Sequence, residues 1–480
     1  MLNSFTSSKP TFAIIGGGIA GSTVAMHLAE LGVNVTLLEK GTSLVAGPPI
    51  CHLHAGGNLY REISETQCVD LLKQSIDTAR FYPHTLNIRP TLIAVPKQDA
   101  GTTESLVARL RVVTAAYMDL VNQDPNNKVL GEPQDYYRLY TKSDLERLAS
   151  REQPSRPNET DEWVIPFAQN VDLESIKYPV IAVQEYGWSL FRVAASVSLT
   201  LENYANCQVH LNSKLENVTK NEQGWRLEYR EPSGEMGFMY ADYLINACGF
   251  QTGEIDDLVS HRSDRLVEFK AAYVTQWPDC QQKWPEVIFH GVRGTKNGMA
   301  QLTPYPNGVF QLHGMTEEIT LFSDGLVSSC EKSSQPTLPQ RFRKKIDKGW
   351  SNDVIDVRTN KAIQHLSQFI PSYISAQRLS KPLYGAQQIP GDNVTLRSAD
   401  VSFADHNYAR IEVVKGSSAI EAARKIIQHW NLVRTSAESI KLSQSVTMSL
   451  TEAQVEQLAI ELAEQRGYPI QLAEVFNKHE

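Results

Sequence analysis

A glycine-rich turn near the N-terminus constrains the fold of this 480-residue chain more than any other segment. Residues 12–15 form a short apolar run that predicts a strand, and residues 33–38 form a second one. Between them, Gly16, Gly18 and Gly21 open an amphipathic stretch. In a βαβ unit, glycines at this spacing allow a tight turn, a close approach of backbone to diphosphate, and close helix–strand packing. The segment therefore predicts a dinucleotide-binding unit.

An acidic residue completes this unit. Glu39 ends the second predicted strand, where a carboxylate can accept hydrogen bonds from both ribose hydroxyls of an adenosine. The N–H groups at the start of the intervening helix would face the phosphates. Strand, glycines, helix, strand and acid in this order favour a cofactor site over an ordinary glycine-rich turn. The cofactor residues expected here are Gly16, Gly18, Ile19, Ala20, Gly21, Glu39 and Lys40.

The composition is that of an ordinary globular protein, with 41% hydrophobic and 21% charged residues, and the length favours two domains or two interleaved halves. A net charge of −8 gives no electrostatic reason to expect nucleic acid or an anionic membrane as a partner. The six cysteines are scattered without a CxxC pair, so we expect neither a metal site nor a redox dithiol. Without a secretory signal or a long apolar run, we expect a cytoplasmic protein with no transmembrane segment.

Later segments repeat the strand and helix patterns, so we expect them to pack beside the first βαβ unit and its cofactor. Residues 191–204 have helical apolar spacing, and residues 208–211 form a short strand pattern. Residues 269–320 alternate apolar and polar side chains in short runs, as is typical of an antiparallel sheet. Residues 409–427 predict strand, turn and helix, and the N–H groups of the turn could face the cofactor. That turn is formed by Gly416, Ser417 and Ser418.

Taken together, these segments resemble the FAD-dependent oxidoreductases related to D-amino-acid oxidase, glycine oxidase and L-2-hydroxyglutarate dehydrogenase. The resemblance implies that the N-terminal unit binds the ADP half of FAD. The run at residues 53–56 is similar to a His-Ala-Gly loop beside the isoalloxazine, and residues 244–253 look like a strand end of that family. The backbone near Leu215 is expected to meet adenine. The resemblance thus adds His54, Ala55, Gly56, Leu215, Ala247 and Gly249 to the expected cofactor site.

Two candidate residues leave alternatives open. His54 is either a loop histidine hydrogen-bonded beside the flavin or the attachment point of a covalent flavin, since an imidazole nitrogen can attack the 8-methyl carbon. Lys415 either places a cation near the N1–C2=O edge of the flavin, which would stabilise the reduced anion, or is an ordinary surface lysine.

The resemblance also implies the architecture. We expect an α/β fold in which a Rossmann-like FAD-binding domain is interleaved with an α+β substrate domain built on an antiparallel sheet. The predicted boundaries are 1–80, 185–262 and 381–434 for the FAD-binding domain, 81–184 and 263–380 for the substrate domain, and 435–480 for a C-terminal helical extension. The extension contains a capped helix pattern and either clamps a dimer, covers the active site or packs as a simple helix.

A hairpin of the predicted antiparallel sheet supplies candidate substrate residues. Residues 301–314 are similar to the hairpin that lies over the flavin in the family. Tyr305 and His313 within it are expected to face the substrate, and His290 and Arg293 are further candidates.

One turn departs from the family pattern. Many relatives carry a Gly-Leu-Arg-Pro turn whose arginine clamps the substrate carboxylate, and Gln387 stands at that position here. An amide donates hydrogen bonds without a charge, so a salt bridge to carboxylate is not available at this point. Small α-amino acids are therefore expected to be poor substrates, unless another cation such as Arg293 or Arg397 takes over the clamp.

The resemblance implies an oxidase or dehydrogenase that transfers a hydride from a CH–NH or CH–OH group of a small organic substrate to flavin N5. Electrons would then pass to oxygen, a quinone or another acceptor. An FAD-dependent monooxygenase is the alternative enzyme, although a second GxGxxG for a nicotinamide domain is lacking. The missing arginine also leaves open an FAD-binding protein that has lost turnover. No catalytic side chain is assigned, and a homodimer is left open.

Overall fold

The computed structural model describes residues 9–47, 53, 63–222, 224–433 and 445–476. The helices in these residues are α1 (Ile19–Glu30), α2 (Glu65–Phe81), α3 (Thr103–Gln123), α4 (Lys142–Ala149), α5 (Thr160–Asn170), α6 (Leu190–Leu201), α7 (Thr252–Leu258), α8 (Gln340–Lys348), α9 (Asn352–Ser367), α10 (Ala419–His429), α11 (Ser445–Ser449) and α12 (Glu452–Gln465).

The strands are β1 (Thr11–Ile15), β2 (Asn34–Leu38), β3 (Leu86–Asn87), β4 (Thr91–Pro96), β5 (Tyr137–Tyr140), β6 (Ile176–Val183), β7 (Gly187–Trp188), β8 (Cys207–His210), β9 (Lys214–Asn221), β10 (Gly224–Arg230), β11 (Met236–Ala241), β12 (Tyr243–Asn246), β13 (Arg265–Gln276), β14 (Glu286–Phe289), β15 (Ala300–Tyr305), β16 (Val309–Gly314), β17 (Leu326–Ser328), β18 (Gln377–Arg378), β19 (Leu383–Pro390), β20 (Val401–Ala404) and β21 (Tyr408–Ile411).

The first layer is a six-stranded sheet in the order β20-β21-β12-β1-β2-β8. β1 pairs in parallel with β2 and with β12, as the βαβ pattern predicts. The strands are apolar because both faces of the sheet are covered. Ile14 and Leu37 are fully buried against residues of the helices, and Ala13 is fully buried against the small sheet. The carboxyl ends of β1, β2 and β12 therefore meet at one edge, where ligands of such sheets bind.

The second large sheet has the order β17-β13-β16-β15-β14-β4-β6-β5, with β18 and β19 also paired to β13. Most of its pairs are antiparallel, and β14 and β4 form a parallel pair. A smaller antiparallel sheet, β11-β10-β9, packs against the first sheet. This combination of a mainly parallel and a mainly antiparallel sheet confirms the predicted fold class.

The sheet pairing refines the predicted organisation at one place. β19 pairs with β13 over eight residue pairs, from Arg265 with Pro390 to Ala272 with Leu383. Residues 383–390 therefore belong to the large sheet, although the sequence prediction grouped them with the first domain. The strand carries Gln387 to the boundary between the two layers, and the domain boundaries as a whole stay a prediction.

The described part of the C-terminal extension packs back onto the first layer. α12 lies against α6. The buried Arg192 of α6 donates from Nε to the Ala473 carbonyl at 2.8 Å and pairs with Glu456 at 3.4 Å. A buried guanidinium needs such partners because its charge is otherwise costly to bury. The extension is therefore anchored at both its helix and its final turn.

Three features bear on the expectations about membrane segments, cysteines and metal sites. Among the described helices, none is long and apolar enough to cross a membrane. Five cysteines in the described residues are free thiols, and Cys51 lies outside them. The same residues contain no group of three or more His, Cys, Asp or Glu side chains that could hold a metal ion.

Candidate functional site

The turn between β1 and α1 has the geometry that its glycines predict. Gly16 has a φ of +100°, which favours glycine. A Cβ on Gly21 would lie 2.0 Å from the Gly16 carbonyl oxygen, so the helix packs on the turn at glycine distance. A Cβ on Gly18 would meet no atom within 4 Å, because this residue faces an open cleft. Gly18 is the N-cap of α1 and no side chain caps that helix among the described residues, so its first N–H groups are available to a phosphate.

Glu39 lies at the carboxyl end of β2, beside this turn. Its Oε2 accepts a hydrogen bond from the Gly17 N–H at 2.6 Å, and its Oε1 accepts one from the Gly41 N–H at 2.6 Å. Each carboxylate oxygen has a second lone pair, so both can also accept a ribose hydroxyl. The side chain is therefore both a brace for the two loops and a candidate cofactor ligand.

Replacing Glu39 with alanine should weaken FAD binding and also destabilise the apo-protein. Loss of the carboxylate leaves the Gly17 and Gly41 N–H groups without this acceptor, which we expect to lower the free energy of unfolding by roughly 1–3 kcal/mol. We expect the Kd for FAD to rise about 10- to 100-fold, measured by titration of apo-protein. Glu39→Gln keeps one oxygen acceptor and should fall between. Unchanged FAD affinity together with lowered stability would show that Glu39 has only a structural role, through its hydrogen bonds to the two loops.

The opposite wall of the nucleotide end comes from β9 and from the residues after β12. Leu215, Ala247 and Gly249 all line the cleft, and a Cβ on Gly16 would lie 2.5 Å from the Ala247 carbonyl oxygen. Lys40 also lines it and donates a hydrogen bond to the Gln251 side chain. Residues from three separated segments therefore meet around the space beside Gly18.

The turn before α10 is divided between the cleft and the core. Lys415 and Gly416 line the cleft. Ser417 and Ser418 are buried and do not line it, and the Ser418 hydroxyl donates to Gln74 Oε1 of α2 at 2.6 Å. The hydroxyl is thereby used in packing, because a buried polar group needs a partner. Lys415 and Gly416, rather than the two serine side chains, therefore face the space for a ligand.

On the other side of the cleft, β13 presents a charged pair. Glu268 and Lys270 alternate with the buried Phe269, so both point to the cleft side of the sheet. Lys270 Nζ lies 2.7 Å from Glu268 Oε2, and Arg293 pairs with the other carboxylate oxygen. The side chain of Glu268 is only 7% exposed, that of Lys270 19% and that of Arg293 32%. Two cations thus surround one carboxylate, which leaves a net positive charge.

The pKa values follow from this arrangement. Burial raises the pKa of Glu268, but Lys270 and Arg293 outweigh burial and hold it below the ordinary value. Burial lowers the pKa of Lys270, and this effect exceeds the opposing effect of Glu268. The lysine is thus held in a partly desolvated position, where an added anion would stabilise its charged form.

Gln387 joins this cluster from β19, where it lies opposite Glu268. Its Oε1 accepts from Lys270 Nζ at 3.1 Å, and its Nε2 donates to the Val414 carbonyl oxygen at 2.7 Å. Val414 directly precedes the Lys415–Gly416 turn. The amide therefore links the charged pair to the nucleotide side. The positive charge that Gln387 lacks comes from Lys270 on the neighbouring strand β13 and from Arg293 in the loop after β14.

The remaining predicted substrate residues lie on β14 to β16. His290, Arg293 and His313 line the cleft, whereas Tyr305 does not. The Tyr305 hydroxyl donates to Gln311 Oε1 at 3.2 Å, and the amide of Gln311 lies 3.4 Å from His313 Nδ1. Gln311 therefore connects Tyr305 to His313, which lines the cleft.

These residues surround one continuous cleft of about 1120 Å³ between the two layers. The predicted site residues that line it are Gly16, Gly18, Ile19, Ala20, Glu39, Lys40, Leu215, Ala247, Gly249, Lys415, Gly416, His290, Arg293, His313, Gln387 and Arg397. Gly21 packs beneath the turn instead. His54, Ala55 and Gly56 lie outside the described residues.

Sequence reasoning missed two sets of residues in or beside the cleft. Glu268 and Lys270, of which Lys270 lines the cleft, interrupt the otherwise apolar run 266–274, and that interruption was a readable signal. Gln465, Arg466 and Tyr468 of the C-terminal extension also line the cleft, although they lie more than 400 residues from the glycine turn. No local pattern marks them, because only tertiary packing carries the extension to the cleft.

Comparisons with known proteins agree with this geometry. A family model described as DAO, FAD dependent oxidoreductase, matches residues 11–384 of the chain. Among curated proteins no match is found.

Solved structures share the fold at low sequence identity. Glycine oxidase from Geobacillus kaustophilus is 13% identical, with a TM-score of 0.57 over 89% of this chain and 96% of that chain. L-proline dehydrogenase from P. horikoshii is 14% identical, with a TM-score of 0.56 over 90% and 96%. L-alpha-glycerophosphate oxidase from Mycoplasma pneumoniae, a structure with FAD bound, is 14% identical, with a TM-score of 0.54 over 88% and 94%. At these identities the likeness is one of fold.

Proposed function

Since the chain belongs to the DAO family of FAD-dependent oxidoreductases, we propose that it removes a hydride from a CH–NH or CH–OH group of a small anionic substrate. Bound FAD supplies the hydride-accepting centre, and the protein supplies binding, orientation and electrostatics. One observation carries the proposal: a single cleft joins the turn at Gly16 and Gly18 to the polar face of the large sheet at Lys270 and His313.

The nucleotide end of the cleft fits FAD. The space beside Gly18 is open where a Cβ would intrude on a diphosphate, and the uncapped start of α1 faces it. Glu39 would hold the adenosine ribose, and the backbone around Leu215 would meet adenine. Lys40, Ala247 and Gly249 would enclose the same end. These assignments rest on position and on the chemistry of the donors and acceptors.

The sheet end fits an anionic substrate. Lys270 and Arg293 share one carboxylate, Glu268, so the cluster keeps positive charge for a carboxylate or phosphate group. Gln387 holds Lys270 in place from the neighbouring strand. His313 faces the cleft from β16 and can donate or accept a hydrogen bond at the substrate. Oxygen, a quinone or another acceptor would then take the electrons.

We expect the purified protein to be yellow and to bleach anaerobically with a suitable substrate. The absorption spectrum before and after acid precipitation measures bound flavin and shows whether it is covalent, as the alternative for His54 requires. Glycine, D-alanine, L-2-hydroxyglutarate, simple amines and other hydroxy acids form the substrate panel. A wild-type protein that is colourless and takes up no FAD on reconstitution would contradict the proposal.

The same experiment separates the alternatives. A monooxygenase would be reduced rapidly by NADPH alone, whereas an oxidase or dehydrogenase requires its organic substrate. A protein that retains FAD but is bleached by no member of a broad amine and hydroxy-acid panel would support the loss of turnover. Bleaching by carboxylates but not by matched analogues that lack the carboxylate, such as D-alanine against D-alaninamide, would support the role of Lys270 and Arg293.

A further inference from the structure

The C-terminal extension contributes side chains to the cofactor cleft. α12 ends at Gln465, and the next residue, Arg466, is its C-cap. Gln465, Arg466 and Tyr468 line the same cleft as Gly16 and Gly18. The extension is therefore more than a helix packed on the outside of the first layer.

Arg466 binds the loop that follows Glu39. Its Nη1 donates to the Val45 carbonyl oxygen at 3.0 Å, and its Nη2 donates to the Leu44 carbonyl oxygen at 2.8 Å and to Ser43 Oγ at 3.0 Å. The Val45 N–H in turn donates to the Gly17 carbonyl oxygen at 2.8 Å. One guanidinium thus connects the extension, this loop and the glycine turn.

The loop is held in a conformation that needs support. Val45 has a φ of +50°, a region that a β-branched residue rarely occupies. Such backbone strain persists only where surrounding contacts impose it, and it concentrates at ligand clamps. The bonds from Arg466 to the carbonyls of Leu44 and Val45 supply contacts of this kind.

The charge of Arg466 has no carboxylate partner among the described residues. Its Nε, which is buried, has no hydrogen-bond partner among them either. Burial lowers its pKa to about 10. A guanidinium left without a counter-charge beside a diphosphate-binding turn gains stability when an anion enters the cleft.

The surrounding contacts place this arginine firmly. The Tyr468 hydroxyl donates to the Pro382 carbonyl oxygen at 3.1 Å, and Lys381 Nζ lies 4.4 Å from the Tyr468 ring centroid. The Phe476 N–H donates to Asn87 Oδ1 at 3.1 Å. The residues on the C-terminal side of Arg466 are therefore attached to two other parts of the molecule.

We propose that the C-terminal extension completes the dinucleotide site, with Arg466 as a positioning residue that locks loop 43–47 against the glycine turn and supplies positive charge for the diphosphate. Binding of the dinucleotide and docking of the extension are then coupled, and each strengthens the other. The identity of the dinucleotide as FAD rests on the proposed function.

The first test measures FAD binding by Arg466 variants. Apo-protein is titrated with FAD, and flavin fluorescence gives the Kd of wild type, Arg466→Gln and Arg466→Lys. We expect Arg466→Gln to raise the Kd roughly 10- to 100-fold, less at high salt, and Arg466→Lys to raise it less because it keeps the charge. Glu464→Gln, an exposed position on the same helix, is the control and should stay within about twofold of wild type. An Arg466→Gln Kd within twofold of wild type would overturn the proposal.

The second test uses the wild-type chain, so it does not depend on a variant that folds. Hydrogen exchange of residues 445–476 is compared with and without saturating FAD. We expect slower exchange with FAD, and unchanged exchange would overturn the coupling. A wild-type protein that binds no FAD would instead contradict the proposed function, whereas tight FAD binding that is indifferent to Arg466 would contradict this inference alone.

Discussion

Replacing Gly21 with alanine should give a protein that carries no FAD and is markedly less stable than wild type. The new Cβ would lie 2.0 Å from the Gly16 carbonyl oxygen and 2.9 Å from Ala247 Cβ, and the first of these atoms is backbone. Helix α1 would have to move away from β1, and overpacking of this kind costs about 1–3 kcal/mol or more. Flavin per polypeptide and the Tm of the apo-protein measure the two effects.

Gly18→Val is the matched comparison. No atom lies within 4 Å of a Cβ at this position, and a φ of −66° suits any residue. We expect the variant to keep the apo Tm of wild type within a few degrees and to lose at least 100-fold in FAD affinity, because the side chain would occupy the diphosphate space. Equal losses of stability in both variants would show that the turn is structural at both positions.

Replacing Lys270 with methionine should abolish most turnover while FAD stays bound. Methionine has a similar length but no charge, so the anion would meet only Arg293, already paired with Glu268. Truncating one partner of a buried charge pair costs about 2–5 kcal/mol, or roughly 30- to 5,000-fold in kcat/KM. The measurement is the rate of anaerobic flavin reduction by the member of the panel that reduces wild type fastest.

Glu268→Gln should change the KM for the anionic substrate in the opposite direction. It removes the carboxylate that competes with substrate for Lys270 and Arg293 and keeps the size of the side chain. We expect its KM for the anionic substrate to fall or stay unchanged, while Lys270→Met raises KM. If both variants lose the same rate and both lose flavin, the cluster supports the fold rather than the substrate.

The sequence by itself was enough to predict the βαβ unit that forms one end of the cleft. This unit is local, because its glycines, its apolar strands and Glu39 lie within 30 residues of one another. Its glycines are required by backbone geometry, either because φ is positive, as at Gly16, or because helix and strand are in close contact. β1 and β2 therefore agree with the predicted strands to within one residue, and α1 forms the helix predicted between them. The orientation of the serine side chains in the Gly416–Ser418 turn was harder to predict. It depends on the packing of α2, whose Gln74 accepts a hydrogen bond from Ser418.

The substrate end was decided by tertiary structure. Its charged cluster combines three segments: β13 with Glu268 and Lys270, the loop after β14 with Arg293, and β19 with Gln387. The net charge that the cluster offers to a substrate depends on the distances between these side chains, which no local sequence pattern contains. Arg466 reaches the glycine turn only because α12 packs on α6. Local conformation depends on residues that are neighbours in the sequence. Buried charge pairs and clefts instead form where segments distant in the sequence pack together and exclude water.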